Sequence, residues 1–234
     1  MGVWAVDRAA HRAGHLLITF ITLVVALDEL QRPRRCSVAD DLRILEGIVT
    51  TVRPDGEVNI APMGPRVDDA FTTILLRPYR SSETYANLAR TQQGVLHVAD
   101  DVELFARAAI NRWESPPAMR PAEAVEGFIL TDACRWCAFQ VEELDDSQDR
   151  ARMTCRVVDR GRERDFFGFN RAMHAVLEAA ILATRLQFLP NEEILRQFSN
   201  LAVLIDKTGG AKERAAFELI ARYVHASRSG GDSS

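Results

Sequence analysis

The sequence predicts an α+β protein: a small antiparallel barrel followed by a cluster of helices. Two observations carry this. Between residues 42 and 160, short apolar or alternating runs are separated by turn residues, with only brief helical stretches among them. After Arg164 the periodicity becomes helical, and residues 169–188 carry an apolar stripe through Ala172, Val176, Ala179, Ala180 and Ala183.

Residues 1–41 stand apart. They contain an apolar run at 16–27, LLITFITLVVAL, with Arg8, His11 and Arg12 ahead of it. That is shorter than the roughly twenty residues needed to span a bilayer. The length suits the hydrophobic region of a signal peptide, but LDELQRPRR follows where a small-residue cleavage site is required. The segment is read as an extension outside the fold. A signal peptide, a helix packed on the core and a misplaced start all stay open. A start at the next methionine, Met63, would fall inside a predicted strand.

From residue 42 the pattern is β. Residues 44–52 alternate imperfectly and lead into Arg53-Pro-Asp-Gly56, a hairpin signal, and residues 57–63 return as the partner strand. Residues 71–76 form a third strand, apolar and β-branched as burial demands. Pro78 stops it, because proline gives a ladder no N–H. Ser81 or Ser82 caps a helix over 82–91, with Glu83 and Tyr85 in its first turns. A strand over 94–99 follows, and Asp100 and Asp101 cap a helix over 102–110. Prolines 116, 117 and 121 mark 111–122 as a loop. Strands are predicted over 125–131, 134–144 and 152–160, the last two joined by the polar turn 145–149. Helices cover 169–188, 192–205 and 211–227, and the SRSGGDSS tail has a disordered composition. The expected organisation is an extension at 1–41, a barrel at 42–165, a helical subdomain at 166–228 and a tail at 229–234.

Composition narrows the function. The 234 residues are 47% hydrophobic and 26% charged, ordinary for a soluble globular chain, and a net charge of −4 argues against nucleic acid as a partner. Cysteines stand at 36, 134, 137 and 155. Cys134 and Cys137 form a lone CxxC, which either holds a metal or redox couple or is incidental. Zinc would require a second matched pair, and on a strand the two thiols point to opposite faces. The expectation is a reduced, cytoplasmic protein with no metal and no membrane partner. Phosphate loops, dinucleotide fingerprints, nucleophile elbows and zincin motifs are absent from the sequence.

Three stretches could carry chemistry. The first is LRPYRSSETYANL at 76–88. A helix start leaves backbone N–H groups unpaired and carries partial positive charge. With the Arg77 guanidinium and the hydroxyls of Ser81, Ser82 and Thr84, it is built for a phosphate, and Asn87 follows one turn later. The competing reading is a plain capped helix whose arginine pairs with a surface carboxylate. The second stretch is Asn59-Ile60-Ala61-Pro62-Met63-Gly64, either a plain hairpin strand or one that lets a ligand approach its backbone. In the third, Asn170, His174 and Glu178 fall at i, i+4 and i+8, near Arg171 and Arg185. That face suits proton transfer or an anionic substrate, or it is simply solvated. His97, inside an apolar strand, reads as a satisfied interior side chain.

Together with residues 44–51, 94–110 and 168–186, these stretches resemble the FMN-binding split-barrel superfamily. Within it they resemble an uncharacterised branch, domain-of-unknown-function family 447, which carries a C-terminal helical extension. The resemblance spans residues 42–189. It implies a Greek-key split β-barrel with FMN as cofactor. Arg77, Ser81, Ser82, Thr84 and Asn87 would hold the phosphate, and the backbone of Asn59, Ile60, Ala61, Pro62 and Met63 would meet the ring. It also implies a homodimer in which one chain grips the phosphate and the other covers the ring. The function it suggests is a flavin-dependent oxidoreductase acting on an unidentified small molecule. A flavin carrier or sensor, and a flavin reductase using FMN as substrate, remain alternatives, as does a deazaflavin in place of FMN. The His174 face with Asn170 and Glu178 speaks for the enzyme, since a carrier needs no titratable group facing a substrate.

Overall fold

One bent hairpin organises the barrel. In the computed structural model, which describes residues 42–229, β1 (Arg43–Ile44) continues through Leu45 and Glu46 into β2 (Gly47–Val52). On the return, β3 (Val58–Met63) continues through Gly64 and Pro65 into β4 (Arg66–Val67). The predicted turn joins the two arms. Gly56 N–H donates to Arg53 O at 3.1 Å, and Gly56 sits at φ +87°, where a side chain would be strained. The pairing keeps one register across the bend: Gly47 faces Met63, Leu45 N–H donates to Pro65 O, and Ile44 faces Arg66. The N-terminal extension with its apolar run and Cys36, and the last residues of the tail, lie outside the described residues.

The other strands close the sheet around this hairpin. β5 (Thr73–Leu76) pairs with β4, and β6 (Gln93–Val98) pairs with β2. β9 (Arg135–Asp145) and β10 (Arg152–Arg162) join them, β9 against β6 and β10 against β5. All pairs are antiparallel, in the order β1-β4-β5-β10-β9-β6-β2-β3, and the bend links the two ends of that order. Three successive strands are followed by a fourth, β6, that returns beside the first, which is a Greek key. The fold is therefore the predicted split barrel. Gly47 permits the tight seam with β6: a Cβ there would lie 2.9 Å from the His97 carbonyl oxygen.

The third strand starts at Thr73, not at 71 as predicted. The Asp68 carboxylate accepts bonds from the Thr72 N–H, the Thr72 hydroxyl and the Thr73 N–H at 2.8, 2.6 and 2.9 Å, holding a turn in which Phe71 takes φ +53°. The proline-rich stretch read as a loop contributes β7 (Met119–Pro121), paired with β8 (Phe128–Leu130) as a separate two-stranded sheet.

Five helices complete the described residues: α1 (Glu83–Thr91), α2 (Val102–Ile110), α3 (Arg171–Ala183), α4 (Asn191–Thr208) and α5 (Ala211–Ser229). Leu88 of α1 packs with Val49, Leu76, Leu96, Phe139 and Met153 in the barrel core. α2 joins two cores. Its Leu104 and Phe105 pack with Ile48 and Leu130, while its Val102 and Ala106 pack with the predicted stripe of α3 and with Ile194 and Ile220. α3 ends at Ala183, short of the predicted 188, and the chain continues in tight turns with Arg185 N–H on Leu182 O and Phe188 N–H on Arg185 O. None of the described helices is long and apolar enough to cross a membrane.

Of the two predicted caps of α2, only Asp101 performs that role, accepting from Glu103 N–H at 3.0 Å and Leu104 N–H at 3.2 Å. Asp101→Ala is expected to cost about 1 kcal/mol, read as a lower urea midpoint. Asp100 instead pairs with Arg164 and accepts the Phe167 N–H at 2.7 Å, anchoring the segment before α3. Burial pushes its carboxyl up, but these bonds and the Arg164 charge outweigh that and hold it below the usual range. The described cysteines are free and buried. Cys137 and Cys155 lie in the barrel core, whereas Cys134 stands by Asp100, so the CxxC thiols diverge as the alternation requires. Burial pushes Cys155 up to about 12.

Candidate functional site

The strand alternation that fills the barrel also turns Thr51 and its partner Asn59 toward α1. There the side chains tie a buried polar knot. Asn59 Nδ2 donates to Thr51 Oγ1 at 3.1 Å and to Thr84 Oγ1 at 3.0 Å. Asn87 Nδ2 donates to Thr51 Oγ1 at 3.0 Å. All four residues are buried. The knot leaves both threonine hydroxyl hydrogens and one Asn87 N–H without a partner among the described residues, an unusual surplus of buried donors.

Directly above the knot, α1 begins. Ser82 is its cap: its hydroxyl donates to Tyr79 O at 2.6 Å and accepts from Tyr85 N–H at 3.2 Å. Ser82 O accepts the Ala86 N–H, and the Glu83 and Thr84 N–H groups have no backbone acceptor among the described residues. Arg77 and Ser81 are exposed on the approach, and their side chains make no hydrogen bond or ion pair with another described residue. The competing reading of Arg77 as half of a surface ion pair therefore has no support. Free cationic and hydroxyl groups, unpaired helix N–H groups and buried spare donors together fit a phosphate.

Asn59 to Met63 lie in β3, which among the described residues pairs with β2 alone, so its outer backbone edge has no ladder partner there. Pro62 is tolerated on such an edge. Ile60 packs toward α2, and Ala61 faces Val49 across the hairpin. An open edge beginning at the knot, with small Ala61 at its middle, fits a flat polar ring that bonds to backbone.

The third stretch divides. Asn170 is the α3 cap, accepting from Ala172 N–H at 2.8 Å and Met173 N–H at 3.2 Å and donating to Thr208 O at 3.3 Å. Its amide is committed to structure. His174 is exposed, stacks on Phe169 with ring centroids 6.1 Å apart, and lines a cavity of about 660 Å³ between α3 and the barrel. That cavity reaches Glu46 at the hairpin bend, beside Gly64. Burial, and then the charge of Glu178, push the Glu46 carboxyl up. Thr51 and Glu46 were not anticipated from sequence. The hairpin register could have found Thr51, since a turn at 53–56 sets it opposite Asn59.

Models of a family described as protein of unknown function (DUF447) match the chain, the N-terminal domain at residues 45–164 and the C-terminal part at 170–222. No curated protein matches. Among solved structures the chain is similar to an FMN-bound DUF447 protein from Methanosarcina mazei, with 25% identity and a TM-score of 0.66, covering 77% of this chain and 94% of that one. It is also similar to the styrene monooxygenase flavin reductase of Pseudomonas putida S12, at 16% identity and TM-score 0.44, covering 54% and 86%. An FMN-binding protein from Thermus thermophilus shows 15% identity and TM-score 0.43, covering 57% and 78%.

Proposed function

Because this chain belongs to the DUF447 family, we propose that it is a flavoprotein that takes FMN at the start of α1 and along the open edge of β3. The observation that carries the reading is the buried knot of Thr51, Asn59, Thr84 and Asn87, whose spare donors lie under the unpaired N–H groups of a helix start. The FMN-bound relative from Methanosarcina mazei supports it. Arg77 and Ser81 add charge and a hydroxyl from outside, Thr84 and Asn87 add donors from beneath, and Ser82 fixes the helix start. Asn59 to Met63 offer backbone to the ring.

Bound FMN would supply the electron chemistry, while the chain supplies grip, orientation and exclusion of water. The function that follows is an oxidoreductase with a small-molecule substrate. His174, on the wall of the cavity that reaches the bend beside Gly64, is the group able to hold or move a proton. Exposed Phe166, Phe167 and Phe169 on one short segment support a second copy of the chain as partner. Free buried cysteines support a reducing compartment, the cytoplasm.

The purified protein is expected to show flavin absorption or to acquire it on adding FMN, and to bind riboflavin far more weakly. A protein that takes up neither, or both equally, overturns the reading. His174→Ala should leave FMN affinity unchanged and slow the reoxidation of the reduced flavin by its acceptor. Reoxidation at the wild-type rate in the variant would move the protein to the carrier class.

A further inference from the structure

We propose that the end of the β9–β10 ladder, beside the turn at 68–72, is a binding site for a doubly charged oxyanion group, a phosphate ester or a dicarboxylate, gripped by Arg135 and Arg160. A cavity of about 370 Å³ opens there, within the range of small-molecule sites, and Phe71, Arg135, Cys137, Arg160 and Arg162 line it. Strand alternation brings the arginines together. Arg135 stands directly opposite Arg162 in the ladder, and Arg160 stands opposite Cys137 on the same face. Like charges directly opposed on a sheet are destabilising, so the cluster is kept against the interest of the fold.

The neighbouring acids do not cancel it. Arg162 pairs with Asp165, and Asp69 with Arg43. Asp68 is bonded within its own turn to Thr72 and Thr73. Asp159, on the opposite face, accepts the backbone N–H of Arg160 at 2.8 Å. Arg135 and Arg160 have no carboxylate partner among the described residues. Arg160 Nη1 donates to Ala70 O at 2.8 Å, and its other side-chain N–H groups find no acceptor there. The Arg135 guanidinium makes no hydrogen bond or ion pair with a described residue; it lies over the Phe71 ring, 3.9 Å from the centroid. Stacking takes up the face of a guanidinium and leaves every N–H of its planar fork free for an anion. Phe71 offers that platform from a left-handed backbone, φ +53°, a strained conformation that the Asp68 turn enforces. A strained aromatic that props an unbonded arginine at a cavity is the observation that points to a ligand. Burial pushes the Cys137 thiol up, and the charges of Arg135 and Arg160 both oppose that shift, so the two guanidiniums converge on one spot. A group with two negative charges on oxygen can bond to both at once, whereas a cation is repelled.

The site stands apart from the proposed flavin grip. β5 has the turn at 68–72 before it and the approach to α1 after it, so either assignment can fail without the other. The probes are phenyl phosphate and phthalate, both doubly charged at pH 8, and neutral benzamide. They are titrated calorimetrically into the full chain carrying Arg77→Ala, which takes away the arginine at the start of α1. At least one dianion should bind about tenfold or more tightly than benzamide, and the tighter of the two identifies the group as phosphate or carboxylate. Adding Arg135→Ala/Arg160→Ala should weaken that binding about tenfold or more, while the same pair in the chain that keeps Arg77 leaves FMN affinity unchanged. Arg135→Lys/Arg160→Lys should retain part of the binding, since the charge stays and the fork is lost. Arg152→Ala/Arg156→Ala, which removes the same charge from another stretch of β10, should retain all of it. Four results would overturn the proposal: dianions that bind no better than benzamide, a preference that survives the Arg135/Arg160 alanine pair, an equal loss in the Arg152/Arg156 pair, or a matching loss of FMN affinity.

Discussion

Arg77→Ala is expected to lower FMN affinity by about 10- to 150-fold, which corresponds to about 1.5–3 kcal/mol for a charge-assisted contact with a phosphate. The same change should leave stability within about 0.5 kcal/mol, because Arg77 is exposed and bonds to no other described residue. This separation is what distinguishes a ligand contact from a structural one. Arg77→Lys should recover only part of the affinity, since an ammonium keeps the charge but loses the planar fork. Asn87→Ala should behave differently. Asn87 is buried and bonded to Thr51, so its loss weakens both folding and binding. Fluorescence titration with FMN, beside urea unfolding, reads both quantities. An Arg77→Ala variant with wild-type affinity would remove the phosphate from the start of α1.

Much of this architecture is legible in the sequence because its punctuation is local. Pro54-Asp55-Gly56 fixes one hairpin and Pro78 ends a strand. Ser82 and Asp101 cap helices through bonds to residues two or three positions away. The apolar stripe of α3 predicts its buried face. What escaped was decided by contacts distant in sequence. The bend at Leu45-Glu46 and Gly64-Pro65, which closes the barrel, contains no turn motif of its own; it exists because β4 finds β5 while β2 finds β6. The same bend places Glu46 on the wall of the cavity beside α3, a position that no spacing along the chain announces. Asp100 looked like a cap beside Asp101, but Arg164, just beyond the end of β10, claims it. Asn170 looked like the first member of a polar face. It is an N-cap, a role its position just before an apolar stripe also allows.

The largest effect of pH should come from His97, which lies outside the proposed flavin site. It is fully buried where β6, β2 and β8 meet. Leu130 N–H donates to its Nε2 at 3.1 Å, and a backbone N–H can only donate, so that nitrogen carries no proton. The proton is therefore on Nδ1, which donates to Ile48 O at 3.2 Å. Protonating Nε2 would set two donors against each other in a dry site. Burial accordingly pushes His97 down to about 4, with the Ile48 carbonyl opposing part of the shift. Unfolded, the imidazole titrates near about 6.5. Between those values the unfolded chain binds a proton that the native chain does not, so stability rises with pH across that window. The contribution is complete above the upper value and is lost as pH falls through the lower one, a change of about 3 kcal/mol. His97→Gln keeps an acceptor for Leu130 N–H but does not titrate. It should be less stable than wild type at pH 7, and the gap should narrow as pH falls from 7 to 4. Subtracting the two urea-unfolding curves removes the carboxylate titrations they share. A gap that stays constant over that range would mean that His97 takes up its proton equally in the folded and unfolded chains and that the Leu130–His97–Ile48 bridge is misassigned. Because Gly47 lies against the His97 carbonyl at this seam, loosening it should also disturb the adjoining bend, and with it the edge of β3 where we propose the flavin ring.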